Sequence, residues 1–118
     1  MQIPKPPSKA TLKKYGNTHD EWIALALSQG NVCAICKKLP ETGKLVQDHL
    51  HIKNYKKLSS KERKKYLRGL LCVYCNLRLL PKGMTLEKAR NLVAYLEAFE
   101  NKLNHLCGLF CIAYGCQR

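Results

Sequence analysis

Acidic side chains are scarce in this 118-residue chain, with 8 aspartates and glutamates against 21 lysines and arginines. The formal net charge is therefore +13. That imbalance excludes an acidic solvating tail and argues against a structural protein with a balanced surface. It favours a polyanionic partner. Long apolar runs are missing as well. The longest apolar-looking segment, Leu106 to Tyr114, falls short of the roughly 20 residues a membrane-spanning helix needs. Residues Met1 to Pro7 lack the apolar stretch of a signal peptide. The expectation is a cytosolic protein with no membrane partner. No internal repeat occurs beyond two cysteine pairs.

What the chain does have is enough apolar content for one core, at 46% hydrophobic residues. A domain of this size is helped by an added staple. Seven cysteines are available for it. In a reducing cytosol they are better read as metal ligands than as disulfides.

Cys33-Ala-Ile-Cys36 and Cys72-Val-Tyr-Cys75 form two CxxC pairs. Two intervening residues let both thiolates of a knuckle face one ion, and two knuckles complete a tetrahedral zinc site. The alternatives are buried structural thiols or a redox dithiol, but a redox CxxC would want a βαβ setting that this sequence lacks. A four-thiolate zinc has no open position and cannot activate water. Any catalytic centre must lie elsewhere. Cys107, Cys111 and Cys116 have no convincing fourth ligand, although His105 is near.

Three of the five prolines fall in residues 1–9, which read as a flexible basic arm carrying Lys5 and Lys9. Thr18-His-Asp-Glu21 is a capping-box pattern opening a helix whose buried face would be Trp22, Ile23, Leu25, Ala26 and Leu27. Gly30 is placed to stop it. Lys44 to Asp48 and Arg68 to Cys72 read as short strands. Between them, Lys53 to Lys65 holds seven basic residues and one acid, with Ser59 able to cap a short helix. Thr85 can cap a long helix with Leu86, Ala89, Leu92, Val93, Leu96, Phe99 and Leu103 at helical spacing. Residues 85–104 would pack on the domain, and could also pair with a second copy. The domain would span 10–104, leaving 105–118 as a cysteine-rich tail without an assigned role.

Inside the loop that a shared zinc would clamp lies Asp48-His49-Leu50-His51, and Asn76 follows the last cysteine of the pairs. A carboxylate and an amide oxygen are hard ligands suited to magnesium. A neighbouring neutral imidazole can take a proton from water near neutral pH. Together Asp48, Asn76 and His49 make a one-metal phosphodiester hydrolase centre. His51 could touch phosphate, serve as an auxiliary ligand or orient the loop. Lys53, Lys56, Lys57, Lys61, Arg63, Lys64, Lys65 and Arg68 are the candidate phosphate contacts, with a solvated helix face as the alternative. No recognition helix with base-reading side chains is evident. The competing function is a zinc-bearing nucleic-acid-binding module without catalysis.

These residues resemble the recombination endonuclease VII family of phage and bacterial nucleases, within the HNH or His-Me finger group. The resemblance rests on Leu12-Lys-Lys-Tyr-Gly16, Ser28-Gln-Gly-Asn-Val-Cys33-Ala-Ile-Cys36, Asp48-His49-Leu50-His51, Arg68-Gly-Leu-Leu-Cys72-Val-Tyr-Cys75-Asn76 and the helix through Ala94-Tyr-Leu96. It implies an α+β fold, a small ββα-metal finger braced by zinc, with flanking N-terminal and long C-terminal helices. It also implies His49 as general base, and Asp48 and Asn76 on a catalytic magnesium or manganese. The substrate it implies is DNA, with branched junctions as the finer expectation, in a bacterial or phage-infected host cytosol. Two departures stand out. Leu50 occupies a position where the family usually has Asp, and Ile52 to Leu67 is longer and more basic than the family's short Thr-Gly turn.

Overall fold

The computed structural model describes residues 3–80 and 82–114, with side chains through residue 104. The chain divides into two compact units, residues 1–82 and 83–118. In the first unit, helix α1 (Lys9–Lys14) is capped by Ser8, whose hydroxyl accepts the Thr11 N–H at 3.3 Å. Helix α2 (His19–Ser28) opens on the expected capping box, with reciprocal 3.2 Å bonds between Thr18 and Glu21. It closes on Gly30, whose φ of +73° is left-handed, while the Asn31 N–H returns to the Ala26 carbonyl at 2.8 Å. That is a Schellman ending, which glycine adopts without the steric cost of a side chain.

Strands β1 (Val46–His49) and β2 (Leu67–Leu71) form a two-stranded antiparallel sheet. Both lie within a residue or two of their expected positions. The basic segment between them is built from short turns: a 3₁₀ turn at Tyr55–Lys57, helix α3 (Ser60–Arg63), and a second 3₁₀ turn at Lys64–Tyr66. Ser59 caps α3 through the Glu62 N–H, as its position predicts. After β2 the chain winds into a wide π-helical turn, Cys75–Leu79, closed by the Leu80 N–H to the Cys75 carbonyl at 2.9 Å. In the second unit helix α4 (Leu86–Tyr114) begins beside Thr85, whose hydroxyl accepts the Lys88 N–H at 3.1 Å. The helix runs past residue 104. The side chains of Cys107, Cys111 and Cys116 lie outside the described residues.

The core gathers Leu12, Trp22, Ala26, Leu45, Leu70 and Leu71 around three cysteines, Cys33, Cys72 and Cys75. Two sequence expectations are corrected here. Of the face assigned to α2, Trp22 and Ala26 are buried and Leu25 packs partly buried against the core, whereas Ile23 and Leu27 are exposed. The N-terminal segment is also not a free arm over its described length. Pro4 is fully buried, and the Lys5 N–H donates to the Gly43 carbonyl at 2.9 Å. Composition suggested mobility, but a proline needs only an apolar surface to pack on, and the Trp22 face of α2 supplies it.

One side chain ties the end of α2 to β2. The Gln29 amide mimics a strand edge, accepting the Leu70 N–H and donating to the Leu70 carbonyl, both at 2.9 Å. Its amide also donates to the Val32 carbonyl at 3.0 Å. A Cβ at Gly69 would approach the Gln29 oxygen to 3.1 Å, so a residue without a side chain lets the amide dock.

Candidate active site and metal centre

The sulfurs of Cys33, Cys36, Cys72 and Cys75 lie within 4.8 Å of one another, and Cys36 Sγ is 3.9 Å from Cys72 Sγ. Four sulfurs at about 2.3 Å from a tetrahedral zinc stand about 3.8 Å apart. The cluster could therefore hold a zinc with little adjustment. Its electrostatics suit a dication. Burial raises the Cys33 thiol, but N–H groups of Cys72, Cys36 and Ile35 outweigh it and bring the thiol down to about 6. Cys75 is pushed up to about 12, first by burial and then by its three cysteine neighbours. The Cys33 thiolate is stabilised while those of Cys36 and Cys75 are penalised, a pattern that a bound cation would relieve.

β1 delivers the other chemistry. Its pairing with β2 is regular from Val46↔Leu71 to Asp48↔Gly69 and then slips, so that His49 faces Leu67. In a regular ladder Arg68 would stand opposite His49. The bulge leaves Arg68 as the extra residue and re-aims its side chain, a common device beside functional sites. The guanidinium forks onto Asp48, with Nε to Oδ2 at 2.8 Å and Nη2 to Oδ1 at 3.1 Å. Asp48 is buried and Arg68 is partly exposed. The fork fixes the carboxylate plane and occupies one lone pair on each oxygen. An ionised carboxylate has about four acceptor positions, so two stay open for a cation.

His49 is half-buried in a ring cluster. Tyr55 stacks on it at 4.3 Å and 22°, His51 lies at 4.6 Å and Tyr15 at 5.2 Å. Its pKa is held below the ordinary imidazole value of 6.5, first by burial and next by the charge of His51, against the opposing pull of Asp48. The imidazole is thus neutral near pH 7 and able to accept a proton. It opens on a cleft of about 720 Å³ whose walls include Lys14, His51, Lys56 and Lys57.

Asn76 lines a second cleft of about 550 Å³ with Thr11, Gln47 and Lys44, and Tyr15 borders both clefts. Asp48, His49 and His51 thus share one strand and its exit, while Asn76 approaches from the π-helical turn. Among the expected phosphate contacts, Lys53, Lys56, Lys57, Lys61 and Lys65 are exposed. Three others hold internal partners. Arg68 binds Asp48, Lys64 pairs with Glu21, and Arg63 donates to the carbonyls of Lys14 at 3.0 Å and Lys56 at 2.8 Å. The roles of Gln29, Tyr15 and Arg63 were not visible in the sequence. The only local hint was the placing of Tyr15 inside the Leu-Lys-Lys-Tyr-Gly motif.

The model of the recombination endonuclease VII family matches residues 8–98, a span holding both knuckles, both strands and every candidate site residue. The chain belongs to that family. Membership in the endonuclease VII family implies a DNA endonuclease, and with it a DNA substrate. Comparison with curated proteins and with solved structures gives no match. No helix among the described residues is long and apolar enough to cross a membrane.

Proposed function

We propose that the protein hydrolyses DNA phosphodiester bonds at a ββα-metal centre of the HNH or His-Me type, with His49 as general base. Asp48 and Asn76 are the hard oxygen donors for a magnesium or manganese ion, and Arg68 sets the orientation of the Asp48 carboxylate. When bound, such an ion supplies charge neutralisation on the phosphate and the leaving oxygen. His49 takes the proton from water as the water oxygen bonds to phosphorus, and the sugar oxygen leaves with its electron pair. The exposed lysines Lys53, Lys56, Lys57, Lys61 and Lys65 hold the backbone through phosphates, which positions a duplex without reading bases.

The observation that carries this reading is geometric. A neutral imidazole faces a lysine-walled cleft and is next in sequence to a buried, oriented carboxylate. Selectivity for branched DNA is the finer proposal, and it would need two active sites. The apolar residues Leu92, Val93, Leu96 and Phe99 on α4 are exposed, which supports pairing of two copies through this helix.

One observation favours a second reading. The Arg68 fork already neutralises Asp48, as it would in a zinc-bearing DNA-binding module with no catalytic metal. Magnesium-dependent nicking of a plasmid and of a four-way junction, measured with the native protein and with His49→Ala, separates the two. The nuclease reading expects cutting that disappears on metal chelation with a weak chelator and falls at least 100-fold in His49→Ala, about the lower range for a general base. Full activity in His49→Ala removes the assigned base. DNA binding with no cutting under any divalent ion selects the module.

A further inference from the structure

The terminal torsion of a histidine side chain is broad, so its ring plane has to be set by neighbours. Among the described residues three rings contact His49, and of these Tyr55 lies closest to parallel, at 22° with centroids 4.3 Å apart. Tyr55 is itself held from its own segment. Asn54, at a φ of +64°, opens the 3₁₀ turn that presents the ring. The Arg63 guanidinium lies 5.2 Å from the Tyr55 centroid, within cation–π range. That guanidinium is pinned in turn, with one nitrogen donating to the Lys14 carbonyl and another to the Lys56 carbonyl. Lys14 belongs to α1 and Lys56 to the same turn as Tyr55. One arginine therefore ties the basic segment to the N-terminal helix, and the Tyr55 ring contacts both that arginine and His49.

We propose that Tyr55 is a positioning residue for His49 and that Arg63 holds Tyr55 in place, so that the long basic segment buttresses the base as well as gripping DNA. The inference rests on the nuclease reading for its kinetic consequence and on the ring geometry for its structural one. With the imidazole plane fixed, one ring nitrogen keeps its direction into the cleft through each encounter with water. Without the stack the ring samples both orientations of its terminal torsion. Misplacement of a reacting group by about 1 Å can cost about 100-fold in rate. This use of Arg63 departs from a phosphate contact, because two of its nitrogens are committed to carbonyls.

The test begins on the native protein. The His49 ring-proton NMR signals, assigned by their loss in His49→Ala, should be shifted upfield by the Tyr55 ring current and should show cross-relaxation with Tyr55. Unshifted signals in the native protein overturn the inference at once, whatever the enzyme does. Tyr55→Phe should keep the shift and a kcat within about twofold of native. Tyr55→Leu should lose the shift and lower kcat about 10- to 100-fold at little-changed KM. Arg63→Gln should weaken the shift and lower kcat by a smaller factor, and it serves in place of Tyr55→Leu if that variant fails to fold by Trp22 emission. A raised KM at native kcat would make Tyr55 a DNA contact and refute the positioning role. If the native protein cuts nothing, the nuclease reading fails, while the NMR arm still decides whether the stack exists.

Discussion

Denying a metal ion to the four-cysteine cluster should unfold the first unit. Cys36 and Cys72 are 36 residues apart in sequence, and a cross-link between them closes a loop of that length. The loop-entropy relation puts that closure at about 4 kcal/mol at 25 °C. An ordinary domain has only about 5–15 kcal/mol in total. Apparent binding free energies of structural zinc run at about 10–16 kcal/mol in small zinc domains. The cluster also forms part of the core, since Cys33 and Cys75 are fully buried and Cys72 is 8% exposed. Without a cation the buried thiols face one another with one stabilised thiolate and no counter-charge. Loss of binding free energy on that scale is as large as the whole stability of an ordinary domain. Trp22 is the single tryptophan and is fully buried against that core, so its emission reports the event directly. Addition of a strong chelator should shift the emission to the red and abolish the cooperative melt, and one zinc per chain should restore both. Cys36→Ser should behave as the chelated protein does. A metal-free sample, verified by elemental analysis, that kept a blue emission and its native melting temperature would refute the argument.

Two further predictions follow from particular residues. Gly16 has a φ of +75°, and a Cβ there would meet the Ser60 carbonyl and come within 2.8 Å of the Lys64 nitrogen. Gly16→Ala should therefore cost about 3 kcal/mol from backbone strain and overpacking together, whereas Gly30→Ala, with φ +73° and nothing within 4 Å, should cost about 1 kcal/mol. Thermal melts of both decide it, and equal shifts would deny the close approach of α3. The pH profile carries a definite sign. Burial and the His51 charge lower the His49 pKa, so the acid limb of kcat/KM should have its midpoint below 6.5, the ordinary value. A metal ion at Asp48 would push the same way. His49's stability contribution is complete above 6.5 and is lost as pH falls from 6.5 towards the folded-state value, because the unfolded chain takes up the proton first. An acid limb centred at or above 6.5 would contradict the burial of the ring.

Local signals were legible in the sequence where they act within a few residues. The Thr18 capping box, the Ser59 and Thr85 caps, the Gly30 stop and the CxxC knuckles are of this kind, and each is realised. What was hidden depends on distant partners. Gln29 looks like any polar residue at a helix end, and its pairing with Leu70 exists only after the sheet docks. The bulge at Arg68 is a slip of one residue that alternation of apolar and polar positions cannot report. Asn17 and Gln47 are likewise ordinary amides in sequence, yet their side chains meet at 3.0 Å in the interior and fix the approach of α1 to β1. Charge was legible in amount and illegible in direction, since a basic run gives no sign of which heads turn inward.

The directions divide by residue type. Arg63 and Arg68 each commit two nitrogens to fixed acceptors inside the fold, while Lys53, Lys56, Lys57, Lys61 and Lys65 are exposed. The division has a physical basis. A guanidinium is a planar fork that loses little freedom per bond when it clamps oriented oxygens, whereas an ammonium is a hydrated point charge on a flexible stem. Lys64 is the exception, but its side chain is half exposed in its pair with Glu21, and such surface pairs contribute only about 0–1 kcal/mol. The net charge of +13 is therefore two populations rather than one. Under the proposed function the lysines set how tightly DNA is held and how steeply that hold weakens with salt. Under the same proposal the arginines set where Asp48 and His49 point, so their loss reaches the chemistry through geometry.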